Sequence, residues 1–139
     1  MEGLIQFCKC LSEPLAVRIV VLLLHDELKI NQLQRILEAK RSTINLHLIK
    51  LRECNVVVTE MDGRWLRFRL NPDLKEFIHR VVETYRDDLS WDPKVTEDLA
   101  RLERERYVSS IQLAPLRVIQ GEASGEEALA ASGDEGRSD

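Results

Sequence analysis

The run Lys40-Arg41-Ser42-Thr43, with Asn45, Leu46 and His47 close behind, gathers side chains suited to one kind of chemistry. Lysine and arginine reach phosphates or guanine, serine and threonine bind phosphate, and asparagine offers paired hydrogen bonds to adenine. Leu46 is wasted on an exposed reading face unless it meets a thymine methyl, and His47 has packing as its plainer role. Arg64, with Arg67 as second choice, forms another basic group; its plainer alternative is Arg67 and Arg69 stacking on Trp65. Cys8, Cys10 and Cys54 are the whole cysteine complement, and three thiolates suit a trivalent arsenic or antimony centre, As(III) or Sb(III). Against that set, Cys8 and Cys10 lie about 200° apart around a helix, and free cysteine packs well as a small hydrophobe. No Ser-His-Asp set, glycine-rich phosphate loop or metal-hydrolase motif occurs, so an enzyme is not expected.

The charge distribution supports phosphate contact although the net charge of −4 does not. Residues 1–70 carry 11 Lys/Arg against 8 Asp/Glu, whereas residues 71–139 carry 9 against 16. From Lys29 to Arg52 there are six basic residues and one acid, Glu38. Local basicity of this kind is what a nucleic-acid footprint requires, its alternative being a solvated charged face. The longest apolar run, Ile19 to Leu24, is too short to span a membrane, and no signal peptide is recognised. Three cysteines in 139 residues make no disulfide scaffold, so a cytoplasmic, reducing compartment is expected.

These groups need positioning elements, and the apolar spacing supplies them. Leu4–Leu11 and Pro14 to about Leu24 read as helices, with Ser12 as a cap and the second helix central and buried. Ile30, Leu33, Ile36 and Leu37 mark a short helix, and Glu38-Ala39-Lys40 a turn. Ile44, Leu48 and Leu51 mark a second short helix, capped near Ser42 and ended by Asn55 in a left-handed conformation. Val56–Thr59 and Arg64–Leu70 read as strands around an Asp62-Gly63 turn, with Leu66, Phe68 and Leu70 on one face and Trp65, Arg67 and Arg69 on the other. Asp73 is expected to cap a helix to about Leu89, and Asp92-Pro93 to open one to about Ser109. The fold class is therefore mainly α with a β-hairpin wing: a winged helix-turn-helix. Residues 1–112 are expected to form this domain and 113–139 a disordered acidic tail.

Four stretches resemble the arsenic-repressor (ArsR/SmtB) family of bacterial regulators: Cys10–Pro14, Arg41–Leu48 with Leu51–Glu53, Asp62–Leu70, and Asp92–Leu102. The resemblance implies a homodimer joined through its first and penultimate helices, repressing transcription from a double-stranded DNA operator until an inducer binds. It departs at the sensing sites. Where the family carries a thiolate pair, Glu27–Gln32 has no cysteine, and the dimerisation helix holds only His79 of the paired ligands. Ala16 replaces an arginine of the family pattern. The expected function is a dimeric repressor released by arsenite, antimonite or a thiol oxidant acting on cysteine thiolates. The alternatives are a DNA-binding regulator with no metal inducer and a winged-helix protein-interaction module.

Overall fold

The computed structural model describes residues 1–122, with side chains as far as Ile111. The elements in chain order are α1 (Glu2–Cys10), α2 (Pro14–His25), β1 (Leu28–Lys29), α3 (Ile30–Leu37), α4 (Arg41–Glu53), β2 (Val57–Asp62), β3 (Trp65–Leu70), α5 (Pro72–Thr84), α6 (Arg86–Ser90) and α7 (Pro93–Glu122). They make the fold expected from the sequence, a helix-turn-helix (α3 and α4) followed by a β-hairpin wing.

One core cluster holds the unit Met1–Leu102 together. Ile19 and Leu22 of α2, Leu33 and Ile36 of α3, and Ile44 and Leu51 of α4 have no exposed surface. Each such side chain contributes about 1.5–3 kcal/mol of transfer free energy. The stripe Ile44, Leu48, Leu51 therefore fixes the roll of α4 and leaves its opposite face to solvent. Two backbone positions set the angles around it. Glu38 at φ 51° makes the sharp turn between α3 and α4, and Asn55 at φ 62° ends α4, as its residue type suggested.

The sheet has three strands in the order β1-β3-β2, all antiparallel. β1 is an addition to the sequence reading: Leu28 and Lys29 pair with Phe68 and Arg67. Two residues show no alternation, so only the partner strand reveals it. The hairpin pairs Asp62 with Trp65 around Gly63 and Arg64. Gly63, at φ 66°, occupies the first central position, where a two-residue hairpin loop needs positive φ.

Three expected caps are corrected. Ser12 Oγ instead donates to Lys9 O at 2.7 Å, closing α1, and Glu13 precedes α2 without a side-chain cap bond. Ser42 lies inside α4, because Ile44 N–H already bonds Lys40 O at 3.0 Å and makes Lys40 the capping position. Pro72 takes the first turn of α5, so the cap falls to Asn71, whose side chain accepts from Asp73 N–H at 3.0 Å. Asn71 Nδ2 also donates to Asn55 O at 2.9 Å, tying the start of α5 to the end of α4.

The helix expected from Asp73 to Leu89 breaks at Tyr85. Thr84 Oγ1 donates back to Arg80 O, and Tyr85 N–H is shared between the carbonyls of Val81 and Val82. Asp92 does open the last helix, accepting from Lys94 N–H at 2.8 Å. That helix continues to Glu122 rather than Ser109, so the domain boundary expected at 112 falls within it. The part of the expected acidic tail at 123–139 lies outside the described residues.

Candidate nucleic-acid interface

The first turns of α4 present Lys40, Arg41, Ser42, Thr43, Asn45 and Leu46 to solvent, with His47 half-buried. None of these side chains makes a hydrogen bond or ion pair among the described residues. The opening N–H groups of α4 likewise have no side-chain cap. A free, basic helix start can accept phosphate oxygens and present Asn45 and Leu46 to base edges.

The wing treats its two candidate arginines differently. Arg64 is exposed in the turn and has no partner among the described residues. Arg67 is held by Asp62 and, at 3.5 Å, by Glu27. The Asp62 carboxylate keeps its guanidinium above the ordinary arginine range, against slight desolvation. Arg69 Nε lies 3.0 Å from Glu60 Oε1, a close ion pair without hydrogen-bond alignment. Nor do these arginines stack on Trp65: the cation over its ring is Lys29, with Nζ 5.9 Å from the centroid. Asp62 and Glu60 of β2, with Glu27 just before β1, thus pair the arginines on the outer face of the wing, and Arg64 is the wing arginine left unpaired among the described residues.

The three cysteines do not converge. Cys10 and Cys54, 44 residues apart in sequence, are joined as a disulfide. Cys8 is free and exposed on α1. No group of three His, Cys, Asp or Glu suited to a metal ion occurs among the described residues. Of the three candidate thiols the structure joins two, at the ends of α1 and α4, and leaves Cys8 apart from them. A groove of about 500 Å³, lined by Gln6, Lys9, Lys50 and Glu53, opens onto the joined pair.

One buried ionic cluster escaped the sequence reading. Asp98 of α7, only 2% exposed, receives Arg18 Nε at 2.7 Å and Arg18 Nη2 at 2.9 Å. Its hydrogen bond raises the pKa of Arg18, outweighing the desolvation that would lower it. Arg18 Nη2 also donates to Leu37 O at 3.1 Å, and Arg101 Nε to Ile36 O at 2.6 Å. Two arginines thereby bind the carbonyl end of α3, beside the turn into α4. A lone arginine in the otherwise apolar α2 was the available signal, since a charge in such a helix needs a partner.

The comparisons with known proteins agree with this architecture. Residues 13–59, which span α2 to β2, match the model described as bacterial regulatory protein, arsR family. The chain is 32% identical to the cadmium metal-sensor CMTR from Mycobacterium tuberculosis, covering 57% of this chain and 82% of that one, with a TM-score of 0.51. This chain belongs to the arsR family. It is 28% identical to the arsenic resistance transcriptional regulator ArsR1 of Pseudomonas putida over 54% of its own length. That match spans 59% of the relative's length. A homodimeric winged helix-turn-helix DNA-binding domain from Mycobacterium bovis shares the fold at 16% identity and a TM-score of 0.57, covering 63% of this chain and 81% of that one. These relatives are described as regulators or sensors, not enzymes.

Proposed function

We propose that this arsR-family protein is a dimeric, sequence-specific DNA-binding repressor whose signal acts through the Cys10–Cys54 pair. The observation that carries the reading is the unpaired, solvent-facing start of α4, backed by the same side chains in the sequence pattern. Lys40, Arg41, Ser42, Thr43, Asn45, Leu46 and His47 form the reading face, and Arg64 adds a wing contact. Arg67 is dropped as a phosphate ligand because acids already satisfy it. In the reduced protein each thiol carries its own proton. An oxidant such as diamide takes up the two protons and two electrons released as the sulfurs join. A trivalent metalloid would find two thiolates here rather than three. Arsenite sensing by this chain is suggested by relatives described as arsenic resistance regulators. Zinc is expected to have little effect, because it wants four ligands.

The test is DNA binding to the segment upstream of the protein's own gene, with and without diamide, arsenite and antimonite. Release by diamide or arsenite that disappears in Cys10→Ser supports the reading. Release that persists at the same concentration in a variant with all three cysteines changed to serine overturns the thiol mechanism. In the same assay, Arg41→Ala and Arg64→Ala should each weaken binding. Each should also reduce the slope of log affinity against log salt by about one unit, the signature of one lost phosphate contact. Unchanged affinity and slope in both would remove these residues from the interface.

Assembly follows from the uncovered apolar surface of α1 and α5. Leu4 is 66% exposed, and Phe77, whose ring lies 5.7 Å from that of Phe7, is 46% exposed. A two-fold dimer would cover them and set the two α4 helices about 34 Å apart. Sedimentation should give twice the chain mass at micromolar concentration, and a stable monomer would rule the arrangement out.

A further inference from the structure

The wing carries an apolar pair that the core does not use. Along the hairpin, Val57 pairs with Leu70, Thr59 with Phe68 and Met61 with Leu66. Alternation puts all three pairs on one face. The first two reach the cluster that also contains Ile44, Leu48 and Leu51 of α4, with Phe68 only 5% exposed. The third pair lies beyond the core: Met61 is 60% and Leu66 39% exposed. The core face of the hairpin therefore runs outward as an uncovered apolar tip, on the side of the sheet where the reading helix packs. Arg64, unpaired in the turn, stands two positions from Leu66 and three from Met61. The opposite face is closed off by charge pairing, through Lys29, Asp62 and Arg67.

We infer that Met61 and Leu66 act as an apolar wedge in the DNA minor groove beside the reading-helix site, making the protein favour easily unstacked steps there. The inference rests on the DNA-binding reading above. Apolar side chains pressed between base steps open them and bend the duplex, and pyrimidine–purine steps yield most easily. Arg64 would hold a phosphate at the turn and so keep the adjoining pair at the groove. Its charge contributes affinity; the pair contributes sequence preference through deformability, without a hydrogen bond to any base.

The experiment is selection of duplexes from a random-sequence pool by the full chain, run reduced and again after diamide, followed by affinity measurements on the enriched duplex. The wild-type protein should enrich pyrimidine–purine steps at a fixed distance outside each half-site. Met61→Thr/Leu66→Thr should keep the half-sites, lose the flanking preference and bind on the order of tenfold more weakly, with the salt slope unchanged. Trp65→Thr, on the opposite face, should keep both preference and affinity. All three positions receive the same β-compatible residue, so general loss of the hairpin would register in Trp65→Thr as well. An unchanged flanking preference in the double variant overturns the wedge and leaves DNA binding intact. So does a shallower salt slope, which would mean the tip acts through charge. An equal loss in Trp65→Thr overturns the assignment to this face. Enrichment of no sequence by the wild-type protein in either redox state overturns the DNA-binding reading and the wedge with it.

Discussion

Asp98→Ala is expected to lower the free energy of unfolding by about 3–5 kcal/mol, the usual cost of stripping one partner from a buried ion pair. The carboxylate is 2% exposed and meets Arg18 through two bonds of 2.7 and 2.9 Å, with Arg101 3.7 Å away. Its removal leaves two guanidinium groups, 13% and 19% exposed, whose charge cannot be shed. The sign of the pH effect follows from Arg18. Its folded-state pKa is raised, so its contribution is complete below the unfolded value and is lost only as pH rises through the folded one. Both lie far above physiological pH, so the deficit should be the same at pH 6 as at pH 8. Denaturant unfolding of both proteins at the two pH values checks this. A deficit below about 1 kcal/mol would mean that the cluster behaves like a surface pair. Because the same arginines bind Ile36 O and Leu37 O, the variant should also lose order in the turn leading into α4.

Reduction of Cys10–Cys54 is the second large expected effect. The bond closes a loop with a sequence separation of 44. In the chain-entropy treatment a loop of that length stabilises the folded state by about 4 kcal/mol, with native geometry deciding how much is realised. Oxidised protein should therefore unfold at a clearly higher urea concentration than reduced protein, with Cys54→Ser matching the reduced form under both conditions. Identical midpoints for oxidised and reduced wild-type protein would show that the link does not constrain the chain. In the proposed mechanism the position of the link would give this stability difference a regulatory meaning. It fastens α1, an arm of the proposed dimer seam, to the end of α4, so a change in bonding there bears on both the seam and the reading head.

Much of the fold could be read from local pattern. The stripe Ile44, Leu48, Leu51 is buried as its spacing required, and Asn55 takes the left-handed conformation its short polar side chain permits. The turn around Gly63 follows from the need for positive φ. The exposed start of α4 could also be read, because the apolar stripe on one face leaves Lys40, Arg41 and Asn45 on another. Caps were less legible. Ser12, Ser42 and Asp73 were all plausible capping types, and the choice fell to the neighbour whose backbone was the last to leave the extended region.

Sequence by itself therefore determined most of the elements and their order, and which side chains stand at the exposed start of α4, because these depend on side-chain type at short range; the two-residue β1 and the break at Tyr85 did not. Tertiary structure alone decided the pairings between distant segments. Asp98 and Arg18 stand 80 positions apart, Cys10 and Cys54 are 44 apart, and Glu27 meets Arg67 across 40. No local rule says which acid will neutralise which arginine, or which of two nearby cysteines will face a third. Cys8 and Cys10 illustrate the reason: two residues on one helix point about 200° apart, and only the packing of α1 against α4 selects the one that meets Cys54. The same packing joins two of the three candidate thiols, and sets the acids Asp62 and Glu27 against Arg67.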